Sequence, residues 1–167
     1  MAGTDSCSPT RRRVFAWAAR LLGAVAALAM IVTLPGTAAA ESEVAMQENL
    51  CGASYERIDT YPIGSSSDPA GYVELYWSST EKRNCALAVG TGSTYGWLGL
   101  KAISVCPSGS PDGSLCGDDG GNYRYYAGPA KTKAGYDMSG KCIDVYGVIE
   151  RRNGTGAVSD KRGVHCG

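Results

Sequence analysis

Six cysteines are spread from residue 51 to residue 166, and bonds between them would restrict the fold strongly. They are Cys51, Cys85, Cys106, Cys116, Cys142 and Cys166. An even number of cysteines in an exported chain predicts three disulfides, although the spacing leaves their pairing open. There is no Cys-x-x-Cys and only one histidine, so a zinc site is not expected.

The first forty residues predict export. Arg11–Arg13 form a basic region, Leu21–Leu34 are uninterrupted apolar residues, and Ala38–Ala40 supply the small side chains of a cleavage site. Residues 1–40 are therefore predicted to be a secretory signal peptide, cleaved after Ala40. The apolar run is shorter than the roughly 20 residues of a membrane span, so an uncleaved anchor is disfavoured.

The export route has two candidates. Arg12-Arg13-Val14-Phe15 partly fits a twin-arginine signal. Arg11 precedes the arginine pair where a serine or threonine is usual, and Arg20 lies just before the apolar run. Both features favour the general secretory route.

The remaining 127 residues predict one secreted domain. Residues 41–50 are a polar arm, and residues 51–167 suit a single β domain with a modest core. Without the leader the chain has 12 basic and 15 acidic residues, a net charge of −3. This charge predicts no binding to nucleic acid, and no membrane association after signal cleavage.

The residue pattern favours strands. In residues 72–77, Val73, Leu75 and Trp77 share one face of an extended strand, and Tyr72, Glu74 and Tyr76 share the other. Similar short alternations recur between turn signals, and no segment after the leader keeps a helical period. The expected fold is a small all-β domain, an antiparallel sandwich or open barrel of about six to eight short strands.

Residues 121–129 read Gly-Asn-Tyr-Arg-Tyr-Tyr-Ala-Gly-Pro, the densest aromatic stretch. A strand over 122–127 would place Tyr123 and Tyr125 on one face and Arg124 and Tyr126 on the other, so only one face could meet a partner. Gly128-Pro129 is expected to end its hydrogen-bond ladder. The preceding residues, 107–121, are predicted to be an aperiodic loop.

Aromatic side chains are the strongest candidates for ligand binding. Flat rings on a β surface can stack on sugar faces while polar neighbours bind hydroxyls. The candidate ligand-binding residues are Tyr72, Glu74, Tyr76, Trp97, Arg124 and Tyr126. A competing interpretation places Trp77 and the inner tyrosines in the core, because the only phenylalanine, Phe15, lies in the leader.

Catalytic and metal motifs are weak. His165, the only histidine, lies beside Cys166 at the end of the sequence, and no Gly-x-Ser-x-Gly elbow follows the leader. Asp112, Asp118, Asp119 and Asn122 could offer oxygens to calcium, but their spacing does not match an EF-hand. No catalytic residue, metal or cofactor is therefore predicted.

Several segments resemble one family. They are Cys51–Tyr55, Arg83–Cys85, Gly121–Pro129, Gly140–Cys142 and His165–Gly167. Together they resemble the spore-associated protein A family of small secreted actinobacterial proteins, and the likeness spans nearly the whole chain after the leader. A segment related to this family also resembles the extracellular end of some membrane kinases.

The resemblance implies an exported, disulfide-containing protein of the spore or cell exterior with no established activity. The expected function is non-catalytic binding of a cell-wall or spore-surface polymer, such as wall glycan, or of another exported protein. The alternative is an extracellular enzyme inhibitor or effector that presents the Cys106–Cys116 loop.

The same resemblance bears on the disulfides. Members of the family typically have cysteines that match Cys51, Cys85, Cys142 and Cys166, which puts Cys106 and Cys116 in an additional loop. A Cys106–Cys116 bond is therefore expected. The other four are then paired by proximity in sequence, as Cys51–Cys85 and Cys142–Cys166.

Overall fold

A computed structural model describes residues 50–111 and 113–167, and strands form nearly all their regular structure. The eight strands are β1 (Glu56–Ser65), β2 (Asp68–Ser78), β3 (Arg83–Gly90), β4 (Gly99–Pro107), β5 (Gly117–Tyr123), β6 (Tyr126–Lys131), β7 (Ile143–Glu150) and β8 (Gly156–Val164). The expected all-β fold of six to eight strands is confirmed. The predicted signal peptide and residues 41–49 of the predicted arm lie outside the described residues.

The strands form two antiparallel sheets of four. The first sheet has the order β1-β2-β3-β6, and the second has the order β5-β4-β7-β8. Inward side chains of both sheets belong to one buried cluster, so the sheets pack face to face as a sandwich. Within the described residues, no helix has the length and apolar character needed to cross a membrane.

The alternation in β2 builds the centre of the core. Val73 and Leu75 are 0% exposed and pack with Ile103 and Val145 of the second sheet. Trp77, on the same face, lies half-buried at the edge of this cluster. The predicted grouping of Val73, Leu75 and Trp77 on one face of the strand is confirmed.

The opposite face of the first sheet is also partly covered. Tyr76, Cys85 and Leu87 form a second buried cluster, which we call the outer cluster, with Cys51 and Tyr55. The chain before β1 supplies this cover. As a result, β3 is buried on both faces, which suits its apolar sequence.

Three disulfides are present and all three expected pairings are confirmed. Cys51–Cys85 ties the segment before β1 to β3, and Cys106–Cys116 closes the loop between β4 and β5. Cys142–Cys166 ties the start of β7 to the tail after β8. Each bond therefore anchors a segment at the end or edge of a sheet.

Residues 121–129 do not form one strand, so the predicted strand over 122–127 is wrong. β5 ends at Tyr123 in the second sheet, and β6 begins at Tyr126 in the first sheet. Arg124 and Tyr125 span the gap, and we call these two residues the crossing. The predicted loop over 107–121 is also too long, because pairing with β4 makes a strand of the polar residues from Gly117 onward.

The change of sheet also alters which side chains face inward. Tyr123 packs against the central core, and Tyr126 packs against the outer cluster on the far side of the first sheet. Arg124 and Tyr125 are both exposed. The expected division into one inward and one outward face fails, because alternation holds only within a single sheet. Pro129 lies within β6 rather than after it, which is tolerated because β6 is an edge strand.

Candidate functional site

An open cleft of about 610 Å³ lies where the chain passes between the two sheets. Its walls come from Asp118 and Asp119 of β5, from Tyr123 and the crossing, and from Tyr126, Gly128 and Pro129 of β6. We call it the crossing cleft. Its volume falls within the range of about 300–1,000 Å³ that is usual for small-ligand sites.

Asp119 holds the two walls of the crossing cleft together. One carboxylate oxygen accepts a hydrogen bond from the Tyr123 hydroxyl at 2.8 Å, and the other accepts one from the Gly128 N–H at 2.7 Å. The bond to Asp119 raises the pKa of Tyr123, because a phenol that donates to a carboxylate resists losing its proton. Asp119 is therefore a structural member of the site.

The carboxylate of Asp118 is a polar group of the cleft that remains available. It is exposed, and it makes no side-chain hydrogen bond or ion pair with any residue that the structure describes. An ionised carboxylate accepts hydrogen bonds from hydroxyl and amide donors. Asp118 can therefore bind the hydroxyl groups of a ligand without first breaking an internal contact.

Two exposed tyrosines stand beside the crossing cleft. Tyr125 is 46% exposed and Tyr95 is 49% exposed, and their ring centroids are 5.0 Å apart at an interplanar angle of 60°. We call them the tyrosine pair. Large exposed rings are costly to leave in water, and their faces suit stacking against an apolar sugar face.

Backbone hydrogen bonds place Tyr95 beside the crossing although it is distant in sequence. The Gly96 N–H donates to the Arg124 carbonyl at 2.9 Å, and the Arg124 guanidinium donates to the Gly96 carbonyl at 3.3 Å. The Gly90 N–H donates to the Tyr125 carbonyl at 2.9 Å. The loop after β3 and the crossing are therefore joined at three points.

A buried lysine reinforces this junction from inside. Lys101 is 0% exposed, and its ammonium donates to the Tyr123 carbonyl at 2.8 Å and to the Trp97 carbonyl at 3.1 Å. The ammonium also lies 6.0 Å from the centroid of the Trp97 ring. Burial lowers the pKa of Lys101, and the negative charge of Glu150 partly opposes this change.

The six predicted ligand-binding residues occupy three places. Arg124 and Tyr126 both line the crossing cleft, so these two can contact the same ligand. Trp97 is half-buried behind the cleft, where its carbonyl binds Lys101. The other three, Tyr72, Glu74 and Tyr76, lie on the outer face of the first sheet.

Of these three, Tyr72 is the one exposed at the surface. It is 37% exposed and lies opposite Val89, which in turn lies opposite Tyr126, so two strand spacings of about 4.8 Å each separate the two tyrosines. Tyr76 is 2% exposed, and its hydroxyl donates to Glu74 at 2.6 Å. The Tyr76 ring therefore packs in the outer cluster and does not face solvent.

The predicted ligand-binding set lacks five side chains of the site: Tyr95, Asp118, Asp119, Tyr123 and Tyr125. Tyr95 lies in a glycine-rich loop about thirty residues before the crossing, and only the pairing of β3 with β6 brings the two together. Tyr125 was assigned to the face of a strand that does not exist. An isolated aromatic residue in a glycine-rich loop was the one available signal for Tyr95.

Metal-ligating and titratable groups are dispersed elsewhere. The described residues contain no group of three or more histidine, cysteine or acidic side chains that could hold a metal ion. Asp112, considered above as a calcium ligand, lies outside the described residues. His165 is not at the cleft, and its Nε2 atom is 3.0 Å from a carboxylate oxygen of Asp59 in β1.

The fold and the cleft define a class of protein: a disulfide-linked antiparallel β-sandwich with an aromatic and acidic cleft where the chain changes sheets. The chain is 30% identical over 129 residues to Spore-associated protein A of Streptomyces coelicolor, an alignment that covers 77% of this chain and 75% of that protein. The chain belongs to the spore-associated protein A family, which confirms the resemblance seen in the sequence. The name of that relative states a spore association and no enzymatic activity. No family model and no solved structure matches the chain.

Proposed function

We propose that this protein is a secreted, non-catalytic component of the spore or cell exterior that binds wall glycan in the crossing cleft. The observation that carries the proposal is the exposed tyrosine pair beside the unpaired carboxylate of Asp118. Rings that stack on a sugar and a carboxylate that accepts hydrogen bonds from its hydroxyls are complementary to a polysaccharide. The cleft is open, which suits a polymer that must enter from the side.

The proposed location has separate support. Three disulfides are typical of a protein that works in an oxidising environment outside the cytoplasm. The spore association in the name of the Streptomyces relative is consistent with a spore-surface location.

The test is sedimentation of the protein with purified wall glycan. Replacing Tyr125 by alanine removes one ring of the tyrosine pair, and we expect about tenfold weaker binding, since stacking contributes about 0.5–1.5 kcal/mol beyond the area that it buries. Tyr146→Ala is the matched control, because Tyr146 is 39% exposed but lies on β7 in the second sheet. The circular dichroism spectra of both variants should match the unsubstituted protein.

Two results would contradict the proposal. One is equal binding by the Tyr125→Ala and Tyr146→Ala variants. The other is an absence of co-sedimentation with glycan freed of protein. Binding to the protein fraction of the wall alone would favour an exported protein as the partner.

The loop closed by Cys106–Cys116 supports a second candidate function, inhibition of an extracellular enzyme. The disulfide joins its two ends, and the Lys133 N–H donates to the Leu115 carbonyl at 3.0 Å. Gly109 and Pro111 are exposed between these anchors. A constrained exposed loop loses little entropy on binding an enzyme. Inhibition of a secreted protease that is lost on opening the disulfide, with wall binding unchanged, would support this function.

A further inference from the structure

A pocket of about 330 Å³ opens to solvent at one end of the sandwich core. Its apolar lining includes Ile58, Trp77, Met138 and Ile143. We call it the core-end cavity. It shares no lining residue with the crossing cleft. A space of this size can hold a compact ligand with one ring or a branched chain.

The strand register explains why the space exists. Trp77 and Asn84 lie directly opposite each other, near the end of the β2–β3 pair, on the face that looks into the core. Asn84 is short and polar where an apolar side chain would otherwise extend the packing. The segment before β7, which contains Met138, passes over the opening and supplies the remaining wall.

Asn84 supplies a buried hydrogen-bond acceptor at the cavity. The residue is 2% exposed, and its amide nitrogen donates to the Tyr76 carbonyl at 3.4 Å. The amide oxygen receives no hydrogen bond from any described residue. Within residues 50–111 and 113–167, Ser159 Oγ is the only fully enclosed side-chain oxygen or nitrogen without a hydrogen-bond partner. The unpaired Asn84 oxygen is therefore not fully enclosed. The space that it can reach is the cavity that Asn84 lines.

The histidine and the lysine at the cavity lie at its exposed rim and have partners of their own. Nε2 of His165 is 3.0 Å from the Asp59 carboxylate, and Nζ of Lys141 is 5.5 Å from the centroid of the Tyr136 ring. The buried part of the lining is mainly apolar, and Asn84 supplies a neutral acceptor there.

We infer that the core-end cavity is a binding site for a small neutral ligand with an apolar ring or branched chain and one hydroxyl or amide N–H donor. The apolar part fills the space beside Trp77, Met138 and Ile143. The donor bonds to the accessible Asn84 amide oxygen in place of water. This site is independent of glycan binding at the crossing cleft.

The test uses phenol and toluene as probes, because they have similar size and shape and only phenol can donate a hydrogen bond. In nuclear magnetic resonance titrations at millimolar concentration, phenol should shift the resonances of the Asn84 amide group and of the Met138 and Ile143 methyl groups. Phenol should bind at least as tightly as toluene, although water solvates phenol better. In Asn84→Leu the ratio of phenol to toluene affinity should fall about fivefold, the usual value of one neutral hydrogen bond.

The unsubstituted protein alone can overturn the inference, so the test does not depend on the folding of Asn84→Leu. Tighter binding of toluene than of phenol would remove the role of Asn84. Absence of shifts at Asn84, Met138 and Ile143 with both probes would show that the cavity holds water only. Tyr125→Ala should leave the phenol titration unchanged, which separates this site from the crossing cleft.

Discussion

Lys101 joins two segments of the candidate site through a single side chain. Methionine has similar length and no charge, so Lys101→Met would leave the Tyr123 and Trp97 carbonyls without their donor. Part of the lost stability is offset, because a buried ammonium is no longer desolvated. We therefore expect a local effect: about tenfold faster hydrogen exchange of the Gly90 and Gly96 amides, which bond to the crossing.

The same variant should weaken glycan binding, since the tyrosine pair depends on that junction. Lys133→Met is the control, because Lys133 is exposed and its removal leaves the crossing intact. If Lys101→Met remains folded and both glycine amides exchange at the normal rate, then Lys101 does not position the site.

At the scale of elements, the three disulfides differ in the length of chain that they close. The separations are 34 residues for Cys51–Cys85, 24 for Cys142–Cys166 and 10 for Cys106–Cys116. Replacing each pair by serines should cost about 4, 3.5 and 3 kcal/mol of unfolding free energy in that order, from the entropy returned to the unfolded chain. Urea denaturation of the three double variants measures this order.

The Cys51–Cys85 variant carries an additional expectation. Release of Cys51 should free the cover over the outer cluster, and Tyr76 and Leu87 would then become accessible. Binding of a hydrophobic dye by the folded variant would reveal that exposure. Equal costs for all three pairs would show that strain, not loop length, determines their contribution.

Strand alternation was readable from the sequence where an element stays in one sheet. In β2, Val73 and Leu75 face inward and Tyr72 faces outward, as their spacing predicts. The crossing could not be predicted this way, because Arg124 and Tyr125 carry no local signal that β5 and β6 belong to different sheets. Partners far apart in sequence, β4 and β3, decide that arrangement.

The same limit applies to the candidate site. Arg124 and Tyr126 were predicted because they lie in the aromatic stretch that forms the cleft. Tyr95 and Lys101 join the site only through contacts with the crossing. A lysine in an alternating strand is also expected to face water, and the buried position of Lys101 depends on two backbone carbonyls that no sequence pattern reveals.

At the scale of the whole molecule, tyrosine hydroxyls should control stability in alkali. Four tyrosines donate their hydroxyls to carboxylates, in the pairs Tyr55–Glu81, Tyr61–Asp59, Tyr76–Glu74 and Tyr123–Asp119. Burial first, and these bonds second, raise the pKa of the first three above the ordinary value of 10.0, and the bond to Asp119 is the main cause of the raised pKa of Tyr123. Their protonated form is therefore favoured in the folded protein.

The sign of the pH dependence follows from proton binding. Below about pH 10 these tyrosines are protonated in both states, so their contribution to stability is complete. Above that pH the unfolded chain releases four protons that the folded protein keeps, and stability falls. Lys101 has the opposite effect on stability, because its pKa is lowered in the folded protein. Its contribution makes stability rise with pH, but only at pH values between that lowered pKa and the ordinary value of 10.5.

Denaturation at a series of alkaline pH values tests this dependence. Each of Tyr55, Tyr61 and Tyr76 should contribute about 1.4 kcal/mol of lost unfolding free energy per pH unit between its unfolded pKa and its raised folded pKa. Tyr123 contributes in the same direction. Tyr76→Phe keeps the buried ring and removes one of the four groups, so it should reduce the slope by about one quarter. An exposed control, Tyr146→Phe, should leave the slope unchanged. The slope of unfolding free energy against pH could instead be the same in Tyr76→Phe as in the unsubstituted protein. That result would mean that the buried hydroxyls ionise without unfolding and that carboxylate pairing does not hold their protons.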